Sequence, residues 1–373
     1  MNGVLGLIYT GERDAELREL TALRDVAAIP MLARYRMIDF PLSCMVNSGI
    51  RNVGVIVQRN YHSLLDHLGA GKEWDLHGKR SGLTILPPFL TQGKVGIYTG
   101  FLDALRSNLT YLRNKKEEYV IVSAATMLHC DKFEEMVKFH EEKKADITVM
   151  YTKERDVKRS GEGKYAQVDS EGRIVKLEVG PSIPHYDGTV METFCVQRSL
   201  LIMLCDRAIS KGQHHFFREL LLDAVNDHSL SIYGYESKSK VWNIDSVQAY
   251  YQCNMELLNR DNRRDLFLTN RPIWTKLRDE MPSRYLEGAS VRNSFVADGC
   301  IIEGDVENCM LFRGVRIHKG AKLRNCIVMQ DGIIHENAEI EHCILDKQVT
   351  IRENVRLIGA GNHPVVVGKN MII

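Results

Sequence analysis

The stretch VRIHKGAKLRNCIVMQDGIIHENAEIEHCILDKQVTIRENV, residues 315–355, decides the fold of the C-terminal part of this chain. It repeats every 17 residues, as the spacing of Cys309, Cys326 and Cys343 shows. Four other sets of positions keep the same step: Val306, Leu323 and Ile340; Leu311, Val328 and Leu345; Ile317, Ile334 and Ile351; and Gly320, Asn337 and Asn354. Three six-residue edges, one of them short by a residue, make one coil of a triangular parallel β-helix. The spacing therefore predicts a β-helix of hexapeptide repeats over residues 287–373.

The aligned cysteines are interpreted as an internal stack of small apolar side chains. The alternative is a metal or redox ladder, which the lack of histidine partners disfavours. The chain has nine cysteines, an odd number, and no C-x-x-C pair. This usage predicts free thiols in a reducing compartment, and we expect a cytoplasmic protein.

The composition is that of an ordinary globular protein with about two domains. The chain has 373 residues, of which 44% are hydrophobic and 26% charged, and its net charge is +1. The sequence has no block of basic residues that would indicate a nucleic-acid partner. No export signal and no run of membrane-spanning length is visible, so we expect no membrane association.

The first part of the chain alternates strand and helix patterns. Strands are predicted at residues 4–8, 51–58, 119–123 and 146–151. Helices are predicted at residues 41–48, at residues 101–112 and after Asp131, where Glu134 would complete a capping box. This alternation predicts a Rossmann-like α/β domain with a mostly parallel sheet over residues 1–265. Residues 266–286 carry two prolines and mixed charge and are predicted to be a linker over both domains.

The first strand ends at the place where a phosphate-binding glycine loop would lie. Ligands of parallel α/β sheets bind beyond the carboxyl ends of the strands. After this strand only Gly11 is a glycine, and Glu12, Asp14 and Glu16 follow within five residues. Their negative charge would repel a triphosphate. The sequence thus predicts a nucleotide site in outline that has lost its phosphate-binding chemistry.

Three motifs identify a family. RYRMIDFPLSCMVNSGIRNVGVIVQRNYHSLLDHL (34–68), YTGFLDAL (98–105) and VWNIDSVQAYYQCNMELL (241–258) closely resemble segments of the bacterial ADP-glucose pyrophosphorylases. The resemblance covers essentially the whole chain, and the first motif is highly specific. It implies a nucleotidyltransferase-like α/β domain followed by a left-handed parallel β-helix. The family makes ADP-glucose and pyrophosphate from ATP and glucose 1-phosphate, with Mg²⁺, for glycogen synthesis.

The chain departs from this family at the residues that carry the chemistry. The catalytic arginine of the glycine loop aligns with Glu16, and the A-K-P-A lysine aligns with Val26. The two metal-binding aspartates align with Ala125 and Asn243. The sugar-phosphate lysine of the E-K-P motif aligns, more loosely, with Gly180. We therefore expect no catalytic residue and no metal in this chain, unless Asp131 or Asp245 supplies a replacement ligand.

Some positions of the family site are retained. Gly11, Gln58, Gly100 and Asp103 match positions near the nucleotide and are candidates for residual nucleotide binding. Lys347 resembles a lysine that contacts phosphorylated effectors in parts of the family, and an exposed corner residue is the structural alternative. ATP or a sugar phosphate is the effector that the resemblance implies.

The pattern of losses resembles the D-type subunit that some bacteria pair with a catalytic C-type subunit. The resemblance implies a regulatory, non-catalytic chain that joins the catalytic chain in a heterotetramer, where Mg²⁺ would be bound, and raises its activity. One alternative is an active nucleotidyltransferase with unusual metal ligands. Another is a β-helix acyltransferase using His318, His335 or His342, which the 34–68 motif disfavours.

Overall fold

The computed structural model describes residues 1, 3–11, 16–78, 81–88, 98–153, 163–267 and 270–373. The chain forms two compact units, and neither is continuous in sequence. The first unit contains Met1–Glu12, Ile38–Asn243 and Leu266–Trp274. The second contains Arg13–Met37, Ile244–Asp265 and Thr275–Ile373.

This grouping differs from the predicted boundaries 1–265, 266–286 and 287–373. Two segments of the predicted N-terminal domain, residues 13–37 and 244–265, belong with the C-terminal coils. The predicted linker is divided between the units. Its first half packs on the first unit, where Asn47 Nδ2 donates to Pro272 O at 2.9 Å and Trp274 N donates to Ser43 Oγ at 2.8 Å.

The regular elements before the coils are numbered in chain order. The strands are β1 (Val4–Tyr9), β2 (Pro30–Met31), β3 (Tyr35–Arg36), β4 (Asn52–Ile56), β5 (Leu83–Leu86), β6 (Tyr119–Ala124), β7 (Met127–Leu128), β8 (Ile147–Thr152), β9 (Lys164–Val168), β10 (Ile174–Val179), β11 (Gly188–Gln197), β12 (Ile232–Glu236) and β13 (Trp242–Asn243). The α-helices are α1 (Asp39–Asn47), α2 (His62–Leu68), α3 (Phe101–Ser107), α4 (Leu109–Arg113), α5 (Phe133–Lys143), α6 (Arg198–Ser210), α7 (Leu222–Asn226), α8 (Val247–Glu256) and α9 (Arg260–Leu266). Short 3₁₀ turns lie at Arg18–Leu20, Val26–Ala28 and Lys72–Trp74, and a π-helical turn lies at Phe216–Leu221.

The first unit is built on one large mixed sheet. In the described chain its order is β10–β9–β11–β6–β1–β4–β5, with β8 paired to β11 and β12 paired to β8. Strands β5, β4, β1 and β6 run parallel, and β11 runs antiparallel to β6, β8 and β9. Every residue of β1 is buried, as expected for a central parallel strand covered on both faces. The predicted α/β fold is confirmed.

Two helix predictions need correction. The helix predicted at 101–112 is two helices, because Asn108 ends α3 and turns its Nδ2 back to Ala104 O at 2.8 Å. The capping box predicted for Asp131 and Glu134 is wrong. Helix α5 begins after Lys132 without a side-chain cap. The Asp131 carboxylate instead accepts hydrogen bonds from Ser237 Oγ and Ser239 Oγ, both at 2.6 Å, and from Lys238 N at 3.0 Å.

The second unit contains the predicted left-handed parallel β-helix. Its strands are β14 (Arg284–Tyr285), β15 (Ser290–Arg292), β16 (Phe295–Val296), β17 (Ile301–Ile302), β18 (Asp305–Glu307), β19 (Met310–Leu311), β20 (Arg316–Ile317), β21 (Lys322–Arg324), β22 (Ile327–Val328), β23 (Ile333–Ile334), β24 (Glu339–Glu341), β25 (Cys343–Leu345), β26 (Thr350–Ile351), β27 (Arg356–Ile358) and β28 (Val365–Val367). Every third strand joins the same parallel sheet, which gives the solenoid three faces. The repeating apolar positions fill its interior, and Cys309, Cys326 and Cys343 are fully buried free thiols there, as predicted.

The face made of β16, β19, β22, β25 and β28, here called the covered face, is apolar on its outer side. Met310, Ile327 and Ile344 alternate with the inward residues of their strands and therefore point outward, yet all three are fully buried. The segments 13–37 and 244–265 contact this part of the unit. Arg24 reaches Met329 and Asp346, and Tyr251 of α8 donates to Asn325 O at 2.7 Å.

The face made of β15, β18, β21, β24 and β27, here called the charged face, carries charges that alternate from coil to coil. One outward column runs Asp305, Lys322, Glu339, Arg356, and the next runs Arg292, Glu307, Arg324, Glu341. Glu339 lies 3.5 Å from both Lys322 and Arg356, and Arg324 lies 3.9 Å from Glu307. Each exposed pair contributes little, about 0.2–1 kcal/mol.

Candidate functional site

The candidate site lies beyond the carboxyl ends of β1 and β6, in the first unit. A depression of about 340 Å³ opens there, lined by Tyr9, Phe101, Val122, Ala124, Glu192, Phe194, Phe216 and Phe217. This is the edge where an α/β sheet binds its ligand.

The protein's own aromatic rings occupy much of this edge. Phe194 and Phe216 stack with their centroids 4.1 Å apart. Phe101 meets each of them edge to face at 6.1 Å, and Tyr9 packs edge to face on Phe101 at 5.3 Å. Such ring pairs stabilise the fold beyond the contribution of burying their apolar area. The cluster is therefore a packed core rather than an open platform for a ligand.

An ion pair sits at the border of the depression. Glu192 lies in a bulge of β11 with φ at 53°, a conformation that side chains other than glycine rarely adopt. Its carboxylate pairs with Lys164, and both side chains are nearly buried. The Lys164 ammonium also lies 5.3 Å from the Phe217 ring centroid. The bulge thus places the Glu192 carboxylate as the negative counter-charge of Lys164.

Gly11 and Gln58 touch each other at the end of β1. The Gln58 side chain is buried, and its Nε2 donates to Tyr9 Oη at 2.6 Å. A Cβ atom built on Gly11 would lie 2.7 Å from the Gln58 side chain. Gln58, a candidate for residual nucleotide binding, is therefore held by Tyr9.

We predict that Gly11→Ala lowers the free energy of unfolding by about 1–3 kcal/mol, because the added methyl group must displace the Gln58 amide. Chemical denaturation measures the loss. The matched control is Gly11→Ala combined with Gln58→Ala, which removes the obstructing amide and should recover part of the stability relative to Gln58→Ala alone. Equal losses from Gly11→Ala in both backgrounds would contradict this contact.

The two positions aligned with metal-binding aspartates come close together. Strands β7 and β13 pair antiparallel, with Asn243 opposite Met127. Ala125 lies two residues before Met127 and is buried. Neither position carries a carboxylate, and the oxygens of Asp131 are taken by the loop at 237–239. Among the described residues, no group of three or more His, Cys, Asp or Glu side chains is arranged to hold a metal ion. The donor set therefore does not fit Mg²⁺, which prefers carboxylates.

The other three aligned positions, Glu16, Val26 and Gly180, carry no cationic side chain. Val26 is fully buried in the Val26–Ala28 turn, which Asp25 caps by accepting from Ala27 N at 2.8 Å. Gly180 follows β10 with φ at 66°, and its amide bonds to Gly163 O at 2.9 Å. Glu16 is half-buried. Residues 12–15 of the predicted degenerate loop lie outside the described residues.

Gly100 and Asp103 contact His214 rather than an open pocket. Asp103 Oδ1 lies 2.7 Å from His214 Nδ1, and Oδ2 accepts from Thr99 N at 3.2 Å. A Cβ on Gly100 would lie 2.5 Å from His214 O, so the glycine allows this close approach. The pair anchors the start of α3 to the turn before the π-helical segment.

Lys347 lies in the second unit, directly after β25, and is half-buried. Burial lowers the pKa of its ammonium to about 7, assisted by the charges of Arg36, Arg24 and Lys369 and opposed by Asp346. It is not the exposed corner residue of the structural alternative.

The histidines of the acyltransferase hypothesis serve other contacts. His318 and His335 stack on each other at 5.2 Å, and His342 Nδ1 lies 2.9 Å from Tyr251 Oη.

Sequence reasoning missed three features of the site and its surroundings. These are the aromatic cluster, the pair Lys164–Glu192, and the Asp131 hub with its loop. Their partners are far apart in sequence, so no local pattern points to them. A glutamate within the apolar run of β11 was the one visible signal, since an unpaired carboxylate is rarely buried.

Comparisons with known proteins agree with this architecture. Residues 6–260 match the nucleotidyl transferase family, and residues 282–363 match the GlmU-like C-terminal hexapeptide family. The glycogen biosynthesis protein GlgD of Bacillus subtilis (strain 168) is 35% identical over 328 residues, covering 87% of this chain and 83% of the relative. The GlgD of Geobacillus stearothermophilus is 34% identical over 86% of this chain and 82% of its own length. The glucose-1-phosphate adenylyltransferase of Clostridium novyi (strain NT) is 27% identical over 84% and 82%.

No helix among the described residues is both long and apolar enough to cross a membrane. The sheet order, the hexapeptide coils and the extent of these matches agree over nearly the whole chain. The chain therefore belongs to the nucleotidyl transferase family, within the bacterial group that holds the glycogen biosynthesis protein GlgD and the glucose-1-phosphate adenylyltransferases.

Proposed function

We propose that this protein acts in glycogen biosynthesis in the cytoplasm, as a non-catalytic subunit of glucose-1-phosphate adenylyltransferase. It assembles with the catalytic chain into a heterotetramer and raises the activity of that chain. The observation that carries the proposal is the pairing of β7 with β13, which puts Asn243 opposite Met127, two residues after Ala125, with no carboxylate at either aligned position. The two GlgD relatives, at 35% and 34% identity, support the glycogen role.

The reaction explains why the missing carboxylates matter. Transfer of an adenylyl group requires charge neutralisation on the phosphate oxygens, which Mg²⁺ and cationic side chains supply. Loss of such stabilisation removes several kcal/mol and slows the reaction by about a hundred- to ten-thousand-fold. The Mg²⁺ of the assembly is then bound by the catalytic subunit.

The geometry around Gln58 favours a scaffold over a nucleotide site. Gln58 is held by Tyr9, Glu192 is paired with Lys164, and aromatic rings fill the space between them. A nucleotide would have to break these contacts. Lys347 remains the candidate contact for an ATP or sugar-phosphate effector.

The test is a pyrophosphorylase assay with ATP, glucose 1-phosphate and Mg²⁺. It is run on this chain alone, on the catalytic chain from the same genome alone, and on the co-purified mixture. We expect no ADP-glucose from this chain alone and faster synthesis by the mixture than by the catalytic chain at equal concentration. Robust turnover by this chain alone would overturn the proposal and favour an enzyme with unusual metal ligands.

A matched variant separates scaffolding from hidden catalysis. Ala125→Asp combined with Asn243→Asp restores a carboxylate at both aligned positions. If this chain only activates its partner, the double variant stays silent alone, because Glu16 and the closed Gln58 contact remain. A second mixture combines this chain, intact, with a catalytically inactive variant of the partner chain. If that mixture makes no ADP-glucose, the turnover occurs in the partner.

A further inference from the structure

A second depression, of about 350 Å³, opens in the first unit between the end of α6 and α7. Its lining shares no residue with that of the depression at β1 and β6. The floor is apolar, and the buried side chains that line it are Leu204, Ala208, Leu220 and Ala224. A concave, mostly apolar pocket with a few placed polar groups is the usual form of a small-molecule site.

The charged residues that line this depression form two pairs of opposite sign. Arg207 and Lys211 are four residues apart at the end of α6. Asp223 and Asp227 are four residues apart, the first within α7 and the second directly after it. Residues at this spacing lie on one side of a helix, where like charges are mildly destabilising. Asp227 also lies at the C-terminal end of its helix, where a negative charge is unfavourable. Helix stability therefore does not explain this arrangement of charge.

Hydrogen bonds orient the two carboxylates of the depression. Asp223 Oδ2 accepts from Gln213 Nε2 at 2.8 Å, and Asp227 Oδ1 accepts from Ser229 N at 3.0 Å. The two oxygens of a carboxylate together accept about four hydrogen bonds, so each acid keeps capacity for a ligand. Both acids and both basic residues are exposed. A ligand in the depression can therefore reach all four charged groups.

The four charges decide which kind of ligand fits. Two basic and two acidic side chains sum to zero. A purely anionic ligand, such as a sugar phosphate, would be attracted by the basic pair but repelled by the acids, and a simple amine would be repelled by the basic pair. A ligand with one positive and one negative group matches both pairs. The apolar floor adds that the rest of the ligand should be apolar.

We propose that this depression binds a free α-amino acid with an apolar side chain. The carboxylate of the ligand accepts hydrogen bonds from Arg207 and Lys211, and the guanidinium fork suits both of its oxygens. The ammonium group of the ligand has three donors and gives them to Asp223 and Asp227. The apolar side chain of the ligand lies on the floor between α6 and α7. The inference does not depend on the proposed activating function, since the depression lies in the first unit and involves none of the aligned catalytic positions.

The experiment titrates the full-length protein with L-leucine at pH 7 and follows binding by saturation-transfer NMR and calorimetry. Two analogues each lack one charge: 4-methylpentanoate has no ammonium group, and 3-methylbutylamine has no carboxylate. Glucose 1-phosphate serves as the purely anionic probe. We expect saturable binding of leucine and at least about tenfold weaker binding of all three other probes, because each leaves one charged pair without its partner.

Two double variants place the ligand in the depression. Arg207→Gln with Lys211→Gln, and Asp223→Asn with Asp227→Asn, should each weaken leucine binding at least about tenfold. The matched control is Arg113→Gln, at an exposed arginine of the same unit that pairs with another acid at 3.1 Å, and it should bind leucine like the wild type.

Three outcomes would overturn the proposal: no saturable binding of leucine, equal binding of an analogue with a single charge, or unchanged affinity in either double variant. Melting curves show whether each variant is folded. The comparison of leucine with its analogues uses the wild-type protein and stands even if a variant fails to fold.

Discussion

Asp346→Ala is expected to lower the free energy of unfolding of the second unit by about 3–5 kcal/mol, because it leaves the Arg24 guanidinium buried without a counter-charge. Arg24 is 4% exposed and Asp346 2% exposed. The two residues are 322 positions apart in sequence, so their contact closes the segment before α1 onto the last coils. Denaturant unfolding and hydrogen exchange at α8 and the coils measure the loss.

The control for this prediction replaces both partners. Arg24→Met combined with Asp346→Leu removes both charges and fills the space with apolar atoms, so most of the lost stability should return. Arg324→Ala removes one member of an exposed pair and should cost less than about 1 kcal/mol. If Asp346→Ala were as mild as Arg324→Ala, the buried pair would not hold the segment.

Asp131→Asn is expected to lower the free energy of unfolding of the first unit by about 3 kcal/mol at pH 7, because an amide presents donors to groups that need an acceptor. Ser237, Lys238 and Ser239 all donate to this carboxylate, which is 3% exposed. The loop at 237–239 leads into β13, so the loss should also expose the β7–β13 pair to hydrogen exchange.

The same residue predicts a pH dependence. Burial alone would raise the pKa of Asp131, but hydrogen bonds and attraction from His129, with the bonds from Ser237 and Ser239, hold it well below its usual range. The stabilising effect is therefore present above the ordinary carboxyl pKa and is lost as the pH falls below about 4 towards the folded value.

The stability difference between wild type and Asp131→Asn should accordingly shrink as the pH is lowered from about 5 to about 2. Asp223→Asn, at an exposed aspartate of α7, is measured alongside as the matched control. A difference that stayed constant with pH would mean that the carboxylate charge is not what holds the loop.

The sequence predicted the repeating C-terminal coils better than the rest of the molecule. The 17-residue step is visible because inward positions such as Leu311, Val328 and Leu345 face identical surroundings in successive coils. Met310, Ile327 and Ile344 keep the same 17-residue step, but their burial on the covered face was not predicted. The identity of the covering segments did not follow, because nothing local in residues 13–37 or 244–265 shows where they pack.

The sequence predicted where the candidate site lies along the chain, but not which side chains contact one another there. The sequence located the carboxyl ends of β1 and β6 and the missing carboxylates at Ala125 and Asn243. The capping-box prediction for Asp131 was wrong, because an aspartate just before a helix can either cap that helix or accept hydrogen bonds from a distant loop. The contacts of Gln58 and Asp103 with Tyr9 and His214 arise from tertiary packing across 49 and 111 residues, beyond the reach of any local pattern.

The charged face has a consequence for how this solenoid can change in length. Because its columns alternate in sign, the removal of one coil would place Asp305 beside Glu339 and Glu307 beside Glu341, and like charges directly opposite each other are destabilising. The removal of two coils would place Asp305 beside Arg356 and keep opposite signs in contact. We therefore expect insertions or deletions of twice 17 residues to disturb this surface less than those of 17 residues.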